Sequence, residues 1–192
     1  MRQAQLARKT KETDIKIAVK LDNMGTANID TGIGFFDHML TALSVHSGIS
    51  MDIAVKGDLY VDGHHTVEDV GICLGLALKK ALGDRAGIRR FGSCYVPMDE
   101  ALTFTALDFS NRPYLVFDAP MPQERIGAYD SCLTVEFMRA LAMNAGITLH
   151  QKCFYGANAH HITEGLFKSL GMAVRDAVKV EGSGVVSTKG VL

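Results

Sequence analysis

His64 and His65 are followed by Glu68, and His160 and His161 by Glu164. The pentapeptides HHTVE and HHITE therefore stand half a chain length apart in 192 residues. On a helix, residues four apart share a face, so His64 with Glu68 and His160 with Glu164 form natural pairs of ligands for a cation. Adjacent histidines point about 100° apart around a helix axis, so a doublet does not easily chelate one ion. Each doublet more naturally serves two ions. The donors are nitrogen and oxygen with no thiolate, which suits manganese, iron, nickel or zinc better than copper(I) or an iron–sulfur cluster.

Positioning these side chains requires helices that begin at the doublets. After HHTVE, apolar residues recur at helical spacing through Val67, Val70, Leu74, Leu78 and Ala81, with Gly83 as a stop. After HHITE, Ile162, Leu166, Leu170, Ala173 and Ala177 repeat the pattern, and Gly182 follows. Upstream, HMLTALSVHSGI (38–49) lies over EFMRALAMNAGI (136–147), two short helices closing near Gly48 and Gly146. The overlay makes His38 and Glu136 equivalent residues at the helix starts and brings the candidate ligands to eight, four for each of two ions. Strand alternation follows in Ile49, Met51, Ile53 and Val55 and in Ile147 and Leu149. It precedes the helices in Ile15, Ile17, Val19 and Leu21 and in 101–109 and 114–118. Each half reads as strands, helix, strand pair, helix. The expected fold is an α+β duplication, halves 1–90 and 91–192 forming one compact unit, each a sheet with helices on one face. His46 reads as a cation in the last turn of its helix. His150, in the strand TLHQK, reads as a core or supporting residue.

Composition narrows the field. The chain is 47% hydrophobic and 21% charged, with a net charge of -1, a globular balance without the basic surplus of a nucleic-acid binder. The longest apolar run, Val70 to Leu78, is too short to span a bilayer, and the N-terminus carries no signal-peptide pattern. Four scattered cysteines without a CxxC pair fit a reducing cytoplasm.

The sequence resembles the imidazoleglycerol-phosphate dehydratase family. The matching stretches are RKTKET (8–13), TGIGFFDHML (31–40), DGHHTVEDVGI (62–72), RRFG (89–92), PMDEAL (97–102), DFSNRPYL (108–115), GANAHHITEGLFKSL (156–170) and STKGVL (187–192). They run in order along nearly the whole chain. The resemblance implies ribosomal protein S5 domain 2-like halves, two Mn2+ per active site, and a homo-oligomeric shell of twenty-four subunits with sites at subunit contacts. It places the family's metal ligands on His38, His64, His65, Glu68, His160, His161 and Glu164, and the eighth on Glu136, where many members carry histidine. The implied reaction removes water from imidazoleglycerol phosphate, giving imidazole acetol phosphate in histidine biosynthesis. The proton lost is not adjacent to a carbonyl, so the imidazole ring must supply the electron push, and cations on its nitrogens would favour that.

Glu12 corresponds to the family's N-terminal substrate-contacting glutamate and is the candidate acid or base. Arg90, Arg112, Lys168 and the Ser187-Thr188-Lys189 segment correspond to its phosphate contacts, so an ordered tail is expected. His46 is expected to be a further substrate contact, beside His38, His64, His65, Glu68, His160, His161 and Glu164 themselves. Two other classes compete. A metal-dependent hydrolase would use similar donors, but HExxH is absent. A non-catalytic metal-binding shell protein would have little use for the phosphate cations. The length leaves no room for an added phosphatase domain.

Overall fold

The computed structural model describes residues 1–22, 25–190 and 192. Its first half runs β1 (Gln3–Lys9), β2 (Thr13–Lys20), β3 (Ala27–Asp30), α1 (Gly34–Ser47), β4 (Ser50–Gly57) and α2 (His64–Leu82). The second half repeats that order as β5 (Phe91–Met98), β6 (Ala101–Asp108), β7 (Tyr114–Asp118), α3 (Leu133–Ala145), β10 (Thr148–Tyr155) and α4 (Ala159–Ala177). A small hairpin, β8 (Arg125–Ile126) with β9 (Tyr129–Asp130), is inserted before α3. The sheets are ordered β1-β2-β4-β3 and β5-β6-β10-β7. In both, the strand after the first helix pairs antiparallel with the hairpin and parallel with the third strand. The α+β duplication expected from the sequence is the fold observed.

Each sheet is apolar on one face because its strands alternate. On β2, Thr13, Ile15, Ile17 and Val19 point inward and are buried, while Lys16 and Lys20 are exposed. All four helices lie between the two buried faces. α2 covers β1 and β2, and α4 covers β5 and β6. The helices then pair across the halves, α1 against α4 and α2 against α3. One continuous apolar core results. At its centre Phe36, Phe137, Phe167 and Tyr129 pack ring on ring, from α1, α3, α4 and β9.

The crossed pairs approach closely at two glycines that hold the same place in the repeat. A Cβ on Gly75 of α2 would lie 2.8 Å from the Leu141 carbonyl oxygen and the Ala145 nitrogen of α3. One on Gly171 of α4 would lie 2.9 Å from the His46 Cβ and 3.1 Å from the Leu43 carbonyl oxygen of α1. Alanine is the better helix former by about 1 kcal/mol, but backbone atoms cannot rotate away and overpacking costs about 1–3 kcal/mol. Gly75→Ala is therefore expected to lower stability by up to about 2 kcal/mol, read as an earlier denaturant midpoint at equal protein and metal concentration.

Several sequence readings need correction. One strand, β4 or β10, lies between the helices of each half where a pair was expected, because its partners come from before the first helix. His38 and Glu136 stand about one turn into α1 and α3, which begin at Gly34 and Leu133. α4 closes at Ala177, short of Gly182, because the chain leaves it to pair Val180 with Ile88. His150 is exposed, since the alternation of β10 turns Leu149, Gln151 and Cys153 inward. Gly48 and Gly146 cap α1 and α3 in the left-handed conformation, as their positions suggested. Among the described residues, no helix is long and apolar enough to cross a membrane.

Candidate functional site

Packing α1 against α4 brings three donors together. His38 Nε2 lies 3.5 Å and His160 Nε2 3.2 Å from the same oxygen of Glu164, and all three ligating atoms lie within 4.8 Å of one another. The doublet is fixed at the helix start by Asn158, whose side-chain oxygen accepts from the backbone N–H of His160 at 2.9 Å and of His161 at 3.4 Å. Phe35 stands beside the histidines, its ring 4.8 Å from that of His160 and 6.4 Å from that of His38.

Glu164 is only 8% exposed at its side chain, and its second oxygen takes an ion pair from Lys168 at 2.7 Å. Burial alone would push this carboxyl up. The Lys168 ammonium and His38 outweigh it and hold the group below the usual glutamate range, so it stays anionic. His46, in the last turn of α1, is shifted down by burial and then by Lys168 and Arg175, which favours the neutral ring. Two imidazoles and a buried carboxylate facing one point are a fitting donor set for a divalent cation.

The pseudo-equivalent end of α2 is looser. His64 Nε2 and Glu68 lie 4.0 Å apart and both are half-buried. Asp62 accepts the His64 backbone N–H at 2.8 Å, since Gly63 supplies no side-chain cap. Glu136 lies on α3, the helix packed against α2, but its carboxylate is ion-paired to Arg139 one turn on. Among the described residues, His38, His160 and Glu164 form the one cluster of three such donors, and Glu136 does not join it.

The second histidine of each doublet turns away from the first. The ring planes diverge by 86° for His64 and His65 and by 76° for His160 and His161. His65 donates from Nδ1 to Asp58 at 3.0 Å, and its Nε2 lies 3.7 Å from Glu12. That Asp58 contact, opposed by burial and aided by the Glu12 charge, raises the basicity of His65. His161 donates from Nδ1 to Glu100 at 2.6 Å and has Asp99 at 3.5 Å from Nε2. Its basicity is raised by Glu100 first, and Glu100 in turn is brought down to about 2 by His161 and by the backbone N–H groups of Asn158 and Ala157. Sequence reasoning had not singled out Asp58, Asp99 or Glu100, although the last two lie in the PMDEAL stretch. A lone acid in a turn carries no periodic signal.

A separate cleft of about 580 Å³ is lined by Arg90, Arg112, Ser187, Thr188 and Lys189, with Phe91 and Val186 as apolar walls. Five of the expected phosphate contacts thus share one surface, while Lys168 stands apart on Glu164. Arg90 has Nε and Nη2 on Asp108 at 2.6 and 2.9 Å, and Nη1 on the Val186 carbonyl at 2.5 Å. It therefore braces the C-terminal segment against β6. Arg112 is 66% exposed, with its guanidinium 3.7 Å from Asp108. Asp108, the acid that orders this cleft, was a further residue not singled out from sequence.

The family model for imidazoleglycerol-phosphate dehydratase matches residues 31–174. The imidazoleglycerol-phosphate dehydratase of Acetivibrio thermocellus is 54% identical over all of this chain and 99% of its own. That of Streptococcus gordonii is 54% identical over the full length of both. Among solved structures, the enzyme of that name from Staphylococcus aureus superposes with a TM-score of 0.84 at 37% identity, covering 93% of this chain and 99% of its own. The structure from Pyrococcus furiosus in complex with (S)-C348 gives 0.86 at 42% identity, covering 97% and 100%.

Proposed function

Since the chain belongs to the imidazoleglycerol-phosphate dehydratase family, we propose that it is the hydro-lyase that converts imidazoleglycerol phosphate to imidazole acetol phosphate in histidine biosynthesis, in the cytoplasm. The observation that carries this reading is the convergence of His38, His160 and Glu164 across α1 and α4. A chance surface histidine–carboxylate contact would not draw on both halves of the chain with its carboxylate nearly buried.

Two Mn2+ serve each active site, His38, His160 and Glu164 holding one and His64, Glu68 and Glu136 forming the pseudo-equivalent set for the other. Three donors would leave room on such an ion for substrate. His65 and His161, turned away from the first histidine of each doublet, would hold ions shared with neighbouring subunits in a homo-oligomer of twenty-four. The exposed aromatic face of the second sheet, where Tyr95 packs on Phe104 at 4.4 Å and on Phe154 at 5.7 Å, is an apolar surface suited to a subunit contact. Native mass spectrometry counts the copies.

Bound cations supply Lewis acidity toward the substrate's ring nitrogens and hold the ring in place. The chain's own groups do the rest. Glu12 moves a proton at the side chain of the substrate. Lys168 keeps Glu164 anionic and properly aimed. Phe35 shields the histidines from water. Arg112, Lys189 and the hydroxyls of Ser187 and Thr188 hold the phosphate in the cleft that Arg90 keeps open, and His46, kept neutral by burial, contacts the substrate.

Incubating the purified protein with Mn2+ and imidazoleglycerol phosphate tests this reading. Formation of imidazole acetol phosphate is expected. Metal bound without dehydration would put a metal-storage role ahead. For the phosphate cleft, Arg112→Ala should lower kcat/KM by roughly 10- to 150-fold, the loss of one charge-assisted hydrogen bond of about 1.5–3 kcal/mol. Most of the change should appear in KM, with the melting temperature unmoved because the side chain is exposed.

A further inference from the structure

His65 and His161 hold the same place in the two repeats, yet the acids that grip them come from different parts of the fold. Asp58 lies just after β4, on the path into α2. Its Oδ2 accepts from His65 Nδ1 at 3.0 Å, and its side chain is 11% exposed. Its backbone fixes it, the N–H donating to the Glu12 carbonyl at 3.0 Å and the carbonyl accepting from Val61 at 2.8 Å. Glu100 lies in the turn between β5 and β6. Its Oε2 accepts from His161 Nδ1 at 2.6 Å, and its Oε1 accepts the backbone N–H of Ala157 at 3.1 Å and of Asn158 at 2.9 Å. Asn158 is the residue that caps α4.

The duplication thus preserves a contact without preserving the residue that makes it. Shared ancestry does not explain that, because a strand-to-helix loop in one half and a hairpin turn in the other deliver the carboxylate. The common feature is the atom held, Nδ1 of the second histidine. An ionised carboxylate only accepts hydrogen bonds, so Nδ1 must carry the proton and, in the neutral ring, Nε2 is left with its lone pair. The same contact also fixes the plane of the ring.

We propose that Asp58 and Glu100 are positioning residues for metal binding, each setting the tautomer and ring orientation of its histidine so that Nε2 is presented as the ligand. The inference rests on the reading that His65 and His161 ligate the metals. Asp58→Asn and Glu100→Gln test it sharply. Glutamine at 100 keeps an oxygen for the Ala157 and Asn158 amides but can turn an N–H toward Nδ1, which would drive the proton onto Nε2 and block it.

The measurement is Mn2+ affinity of the chelator-stripped full-length protein, taken beside its metal-free melting temperature. Glu100→Gln and Asp58→Asn should each weaken Mn2+ binding by about 10- to 100-fold, while Glu100→Asp recovers most of the loss. His161→Ala and His65→Ala should also weaken binding, and Glu100→Gln should add nothing further in the His161→Ala background. An Mn2+ affinity unchanged in the two acid variants, with both alanine variants impaired, overturns the positioning role and leaves the ligand assignment standing. Alanine variants that bind Mn2+ as tightly as the parent overturn both. A loss in Glu100→Gln that persists undiminished on top of His161→Ala, or that tracks a lower metal-free melting temperature, assigns the acid a purely structural role and also overturns the proposal.

Discussion

His160→Ala is expected to empty the centre between α1 and α4 and to lower kcat by about 10³-fold or more. Removing the imidazole leaves His38 and Glu164, two donors where the packed helices present three. A cation that stabilises developing charge contributes several kcal/mol to the barrier, and every 1.4 kcal/mol is a factor of ten. The side chain is 41% exposed, so the fold does not depend on it. Elemental analysis after dialysis, set beside the metal-free melting temperature, separates loss of a ligand from loss of structure. Unchanged metal content at full activity would remove the basis of the reading. The reciprocal check is a chelator, which should abolish turnover in the parent protein and allow recovery when Mn2+ is returned.

Glu12→Gln should behave differently, with metal retained and kcat reduced by about 10²–10⁴-fold, the range for losing a positioned acid or base. The turn that carries Glu12 is held from several sides. The Thr10 hydroxyl accepts the backbone N–H of Glu12 at 3.1 Å and of Thr13 at 3.0 Å, and the Thr13 hydroxyl donates to Asp69 at 2.5 Å. Asp69 also pairs with Arg8 at 2.6 Å. A 52% exposed carboxylate on so braced a turn, 3.7 Å from the His65 ring, is placed to meet a ligand and not to hold the fold. Glutamine keeps its shape but loses the charge and the ability to exchange a proton. Turnover within a few-fold of the parent would exclude Glu12 as the acid or base, and metal loss in step with activity would reassign it to the metal site.

The sequence by itself determined the duplication, both helix starts at the doublets, the His–Glu spacing on one face, the glycine caps at Gly48 and Gly146, and the inward faces of β2 and β4. These follow from periodicity, because a 3.6-residue or 2-residue repeat of apolar side chains fixes which side of an element is buried. Periodicity is silent on which buried sides meet. Tertiary structure alone decided that α1 packs on α4 and α2 on α3, which is why His38 finds its partners in the other half. It decided that Lys168 serves Glu164, and that Arg90 is spent on Asp108 and the tail. It also delivered Asp58 and Glu100 to equivalent atoms from unrelated loops. Polar side chains in turns have no repeating pattern to betray their targets. Where they point is settled only when a shared core, closed at Gly75 and Gly171, fixes the distance between the elements that carry them.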